Sequence, residues 1–253
     1  MRLVRYSHKD RIGYGIYSAD CVQPVAWAPY DGAVESREKL AADDITLLAP
    51  VEPTKIIGIG LNYRDHANEL KMKVADEPTI FLKAPSAVIG PGGVIRYPGR
   101  SRKVDYEAEL AVVIGKETRD VSALDALSFV LGYTCAMDIT ARDLQASDGQ
   151  WTRAKNFDTF CPLGPWVETE LEPGGLDISL SVNDVLAQES NTSEMIVGVP
   201  ELIAFVSNVM TLCPGDVILT GTPAGVGALE RGDRVEMAIE GIGKLSCTVE
   251  ENA

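Results

Sequence analysis

Acidic residues at alternate positions are the strongest chemical signal in this chain. In Val104-Asp105-Tyr106-Glu107-Ala108-Glu109-Leu110-Ala111-Val112-Val113-Ile114 an extended backbone places Asp105, Glu107 and Glu109 on one face. Ala111 and Val113 continue that face, while Val104, Tyr106, Ala108, Leu110 and Val112 form the other. Neighbouring like charges destabilise a sheet, and partly buried carboxylates need a cation or a proton. A further acid, Asp138, ends the apolar run from Phe129 to Met137, and Thr140-Ala141-Arg142-Asp143-Leu144-Gln145 after it reads as a helical turn. Ligation by oxygen alone suits a hard divalent ion, Mg²⁺ or Mn²⁺, whereas zinc prefers nitrogen or sulfur. Spacing alone also allows a plainer reading, with Glu107 and Glu109 on an exposed strand face and Asp138 as a helix cap.

The chain has two histidines. His66 stands in Gly60-Leu61-Asn62-Tyr63-Arg64-Asp65-His66-Ala67-Asn68-Glu69-Leu70; on a helix, His66 and Glu69 share a face. A carboxylate on an imidazole fixes its tautomer and raises its basicity, as a general base requires, although an inert surface pair has the same spacing. His8 lies in a polar stretch and reads as solvated. Gly58-Ile59-Gly60 follows a strand-like Lys55-Ile56-Ile57, but Tyr63 stands where a dinucleotide loop needs its third glycine, and no βαβ pattern follows. The absence of G-x-S-x-G disfavours a serine hydrolase of the α/β type.

The elements that must position these residues are mostly strands. Ile178, Leu180 and Val182 alternate before an Asn183-Asp184 turn into Val185-Leu186-Ala187, which predicts a hairpin. Val235, Met237 and Ile239, then Leu245, Cys247 and Val249, predict a second hairpin around Glu240-Gly241-Ile242-Gly243. Two helices are predicted. Ser122-Ala123-Leu124-Asp125 resembles a capping box before Ala126-Leu127-Ser128-Phe129, with Gly132 as the stop. Pro200 opens the other, whose apolar face holds Leu202, Ile203, Phe205, Val206, Val209 and Met210. Residues 1–50 read as a small β-rich domain, with Ile12, Tyr14 and Ile16 alternating; Pro50 and Pro53 suggest a linker, and 55–253 form one unit.

Composition narrows the partners. The 253 residues carry 37 acidic against 23 basic side chains, a formal charge of −14. With no basic run, the chain lacks the footprint of a nucleic-acid binder. No apolar stretch approaches the ~20 residues of a membrane helix, and the start has no signal-peptide core. Five scattered cysteines without a CxxC fit reduced thiols in a cytoplasm.

Taken in order, five segments resemble the fumarylacetoacetate hydrolase family. They are Gly58 to Glu69, Asp105 to Leu110, Met137 to Gln145, Lys155 to Trp166, and Pro214 to Gly227. The resemblance covers roughly residues 55–250. It implies an α+β, β-rich fold, a mixed β-roll with a few short helices, usually a homodimer. It implies Glu107, Glu109 and Asp138 as ligands of Mg²⁺, with Mn²⁺ also supporting activity. Larger members carry a further aspartate where this chain has Ile59-Gly60-Leu61, which points to the shorter, three-carboxylate branch. In that branch His66 and Glu69 would activate water, with Lys155 stabilising an oxyanion or delivering a proton. Arg142, Gln145 and Thr222 match substrate-contacting positions; Tyr63, Lys83 and Gln188 are pocket residues on looser grounds. The implied activity is C–C hydrolysis of a 2,4-diketo acid of the acylpyruvate or fumarylpyruvate type. The alternatives within the family are oxaloacetate decarboxylation and isomerisation of a 2-hydroxyhepta-2,4-diene-1,7-dioate type of acid in aromatic-acid catabolism. The polar segment Lys71–Pro78 is expected to be a lid.

Overall fold

The computed structural model describes residues 1–25, 39–71 and 77–251. Strands dominate, as the alternating patterns predict, and the described residues contain four short α-helices: Arg64–Leu70, Arg142–Asp148, Thr152–Lys155 and Val199–Val209. None is long and apolar enough to cross a membrane.

The largest sheet has 12 strands among the described residues. Its centre is built from Cys161–Glu168, Val130–Met137, Ala108–Ile114, Val217–Leu219, Ile56–Gly60 and Thr79–Lys83, side by side in that order. Ala108–Ile114 is buried along its whole length, so apolar side chains pack on both of its faces. A five-stranded sheet carries both expected hairpins, Asp177–Val182 with Val185–Asn191 and Arg234–Ile239 with Gly243–Glu251. Asn183 and Asp184 both have positive φ, 50° and 65°, the backbone that a tight two-residue turn between twisted strands demands.

Three expectations need correction. The stretch from Val104 to Ile114 is not one strand: Val104–Tyr106 joins a separate three-stranded sheet, Ala108–Ile114 joins the large one, and Glu107 sits at the break. Ser122 and Asp125 do form the capping contacts, at 2.7 and 3.3 Å, but only a single 3₁₀ turn follows, Ala126–Phe129. Gly132 does not stop a helix. It pairs with Val113 inside the Val130–Met137 strand, where the apolar run favours sheet burial. Nor is the segment after Pro50 a loose tether. Ala49 and Val51 are buried, and the carboxylate of Asp216 accepts hydrogen bonds from the Thr54 and Lys55 amides, the Thr54 hydroxyl and the Lys55 ammonium.

The strands of the N-terminal segment continue the large sheet. Arg2–His8 pairs with Cys161–Glu168 on one side and Arg11–Ser18 on the other. Leu3 joins the main core, while Val4, Tyr6, Val22 and Leu40 form a second, smaller cluster.

Candidate active site

Two strand ends and one strand interruption bring the predicted acids together. Glu109 lies on Ala108–Ile114, Glu107 just before it, and Asp138 just after Val130–Met137. The two strands are antiparallel neighbours, with Ala108 opposite Met137, so the three carboxylates converge. One oxygen from each lies within 4.8 Å of the others, and all three residues are buried. Glu107 and Glu109, which the spacing predicts on one face, thus lie together with Asp138, although the strand breaks at Glu107. Asp105, on the same predicted face, goes elsewhere: it accepts from Arg142 Nε at 2.8 Å.

Three cations grip this cluster, Lys83 from behind and Lys155 and Arg142 at the cavity. Lys155 Nζ donates to Glu107 Oε2 at 2.9 Å and to Asp138 Oδ2 at 2.5 Å. Lys83 Nζ donates to Asp138 Oδ1 at 2.5 Å and to the Lys155 carbonyl at 2.7 Å. Arg142 Nη2 reaches Glu107 Oε1 at 2.5 Å, and Nη1 reaches Gln145 Oε1 at 2.8 Å. Burial alone would raise the Glu107 carboxyl, but Lys155 and Arg142 hold it at about 2. Glu109 is different. Burial, with Asp138 and Glu107 beside it, pushes its carboxyl well above the usual range, against the opposing pull of Lys155 and the Gly221 N–H. That amide donates to Glu109 Oε2 at 2.6 Å.

Four buried carboxylates, Asp105, Glu107, Glu109 and Asp138, thus meet Lys83, Lys155 and Arg142, and the exposed Lys103 lies 3.9 Å from Asp105. Glu109 is the one of the four without an ion pair among the described residues. Three converging buried carboxylates make an all-oxygen donor set, which fits a hard divalent cation, so Glu107, Glu109 and Asp138 can hold one.

The imidazole comes from another element. Helix Arg64–Leu70 places His66 Nδ1 3.0 Å from Glu69 Oε2, as the spacing predicts. The helix start is held from several directions. Asp65 Oδ1 accepts from the His66 amide and Oδ2 from the Ser190 hydroxyl. Asn62 Nδ2 donates to the Val197 and Thr220 carbonyls, and its Oδ1 accepts from the Val197 amide. Gly225 N–H points at both oxygens of Glu69, at 3.2 and 3.3 Å.

Between the imidazole and the acids lies a cavity of about 270 Å³. Arg142, Gln145, Lys155 and Thr222 line it with the triad and His66. Three looser expectations do not reach it. Lys83 is spent behind Asp138. Gln188 is consumed as a strut, accepting from the Ala108 amide and donating to Thr222 Oγ1 and the Pro223 carbonyl. Tyr63 is fully buried, its hydroxyl without a hydrogen-bond partner, and burial followed by the charge of Glu109 raises its pKa. Most of the expected lid, residues 72–76, lies outside the described residues.

One wall was not foreseen: Ile59, Leu61, Phe81 and Trp151. Its signal is the glycine pair in Ile56–Gly60. A Cβ at Gly58 would run into the Phe81 ring, and one at Gly60 would stand 3.0 Å from the Trp151 indole. Glycine in a strand interior often marks such a close approach, which explains the pair without a phosphate.

Known proteins carry the same plan. Residues 55–250 match the model described as fumarylacetoacetate (FAA) hydrolase C-terminal, and residues 1–50 match one described as Rv2993c-like, N-terminal. Protein Rv2993c of Mycobacterium tuberculosis is 42% identical over 256 residues, covering 97% of each chain. The mitochondrial oxaloacetate tautomerase Fahd2a of Rattus norvegicus is 46% identical over 213 residues, 79% of this chain and 68% of its own. Among solved structures, the 5-carboxymethyl-2-hydroxymuconate delta-isomerase from Mycobacterium smegmatis superposes with a TM-score of 0.95 at 41% identity, covering 100% of both chains.

Proposed function

The chain belongs to the fumarylacetoacetate hydrolase family, and on that premise we propose that it is a divalent-metal-dependent enzyme that relocates a proton beside the keto group of a small 2-oxo acid of oxaloacetate size. The observation that carries this reading is the carboxylate-oriented imidazole facing an acidic triad across a cavity of about 270 Å³. That volume lies just below the roughly 300–1,000 Å³ of typical ligand pockets, which suits a small substrate. The names of two relatives, a tautomerase and an isomerase, both describe proton relocation and support the same chemistry.

A divalent ion held by Glu107, Glu109 and Asp138 would supply Lewis-acid stabilisation of negative charge on the substrate's keto oxygen. The chain's own groups do the rest. Glu69 on Nδ1 of His66 keeps the proton there and leaves the Nε2 lone pair to accept a substrate proton and return it. Gln188 donates to Thr222 Oγ1, so the threonine's own hydrogen is available to a substrate oxygen. Arg142 adds a positive charge at the cavity wall, fixed by Asp105 at its Nε, where it can meet a carboxylate. Lys155 pairs with both Glu107 and Asp138 and holds the two carboxylates in place.

Hydrolysis of a C–C bond in a 2,4-diketo acid is the second reading, favoured by the family description. It would use the same Nε2 on a water molecule. One assay separates the two. Protein with Mg²⁺ or Mn²⁺ is mixed with oxaloacetate or acetylpyruvate, and enol absorbance and pyruvate are followed together. Faster enol–keto exchange of oxaloacetate without pyruvate is the expected result. Pyruvate from oxaloacetate would mark decarboxylation, and pyruvate with acetate from acetylpyruvate would mark hydrolysis. His66→Ala should slow the reaction by about 10²–10⁴; an unchanged rate removes His66 as the proton carrier.

A further inference from the structure

The cavity is two-faced. Its charged groups gather at the triad and around Arg142, while Ile59, Leu61, Phe81 and Trp151 close another side with hydrocarbon and aromatic surface. Two rings form most of that side. Phe81 and Trp151 meet edge to face, centroids 5.3 Å apart at 66°. Both approach strand Ile56–Gly60 this closely only because Gly58 and Gly60 have no side chain there. Phe81 is further committed, because Lys155 Nζ sits 4.8 Å from its ring centroid, a cation–π contact. Trp151 has no such second duty. It stands at the entry to helix Thr152–Lys155, and its indole rests against Gly60 and edge to face with Phe81.

We propose that Trp151, backed by Gly60, is the specificity-determining residue that limits substrate length in this pocket. The assignment rests on the 2-oxo acid reading above. With the keto-acid end at the triad, a four-carbon acid can turn its distal carboxylate to Arg142, whereas a tail longer by several carbons meets the indole, an apolar wall that offers a charged end no partner. Short 2-oxo acids fit; those lengthened by several carbons are excluded. Pocket contacts of this kind discriminate by roughly 10–200-fold per misfitting group.

The test uses binding, so it does not depend on which reaction occurs. Calorimetry on the full chain with Mn²⁺ compares oxalate, a short 2-oxo acid mimic, with N-phenyloxamate, which carries the same head and a long rigid tail. Wild type should favour oxalate by roughly tenfold or more, and Trp151→Ala should shift that ratio towards N-phenyloxamate by roughly tenfold. Gly60→Ala supplies a second arm. Its new methyl group displaces the indole, so it should alter the ratio in the wild-type background and leave it unaltered in Trp151→Ala. An equal ratio in wild type and Trp151→Ala, or an identical effect of Gly60→Ala in both backgrounds, overturns the wall assignment alone. Failure of oxalate to bind the wild type overturns the 2-oxo acid reading and the length limit with it.

Discussion

Glu109 is the residue on which the electrostatics of the site turn. Among the described residues it is the member of the triad without an ion pair, and its support is one backbone amide. A cation that binds only the folded chain stabilises it by about 2.7 kcal/mol at 100 times its dissociation constant. Millimolar Mg²⁺ or Mn²⁺ should therefore raise the melting temperature, and Glu109→Gln should lose most of that increment. In metal-free buffer the variant should melt no lower than the wild type, since it removes a carboxyl whose ionised form is disfavoured by burial and by Asp138 and Glu107 beside it. Equal increments in both proteins would remove Glu109 from the ligand set. Lys83 gives the opposite case. Lys83→Met strips Asp138 of one of its two cations, and breaking a buried pair in this way costs about 3–5 kcal/mol, measurable by urea unfolding. The acids were legible because ligand chemistry needs particular residue types at particular intervals. The duty of Lys83 was not, because its carboxylate lies 55 positions away and only strand pairing makes the two neighbours.

Helix Arg64–Leu70 has seven residues, too few to persist alone, since isolated helices shorter than about 12–15 residues are marginal. Its position comes from its anchors, and Asn62 is the most heavily used. Asn62→Ala would leave the Val197 amide and the Thr220 carbonyl short of a partner, a loss of about 1–3 kcal/mol for each buried polar group stranded. The predicted consequence is a lower turnover with little change in metal affinity, because the triad sits on other elements. Parallel measurement of turnover and Mn²⁺ titration checks this; equal damage to both would place Asn62 in a wider structural role. Elements with strong local signals were readable: both hairpins and helix Val199–Val209 follow from turn residues and apolar periodicity. The break at Glu107 was not readable, because alternation continues through it and the change of sheet is set by partners far away in sequence. The same holds for Gly132, whose surroundings are the Val113 and Glu168 backbones rather than a helix end.

At the scale of the molecule, the N-terminal strands are an extension of the main sheet. Deleting residues 1–50 would uncover the edge of Cys161–Glu168 and remove Leu3 from the core. An exposed edge is a template for association. The truncated chain should aggregate, as read by light scattering; a soluble product melting like the full chain would show that the segment is dispensable. The β-rich class was legible from alternation alone, whereas the joining of both segments into one sheet was not, because Arg2–His8 carries no mark of its partner. The seam between them has a practical consequence. Prolines and an exposed Glu52 make the stretch look cleavable, yet the Asp216 carboxylate holds Thr54 and Lys55 by main chain and side chain together. A protease must peel several residues out straight before it can cut, so trypsin acting at Lys55 would first have to prise open the core, and digestion of the native protein should not release the two segments as separate fragments.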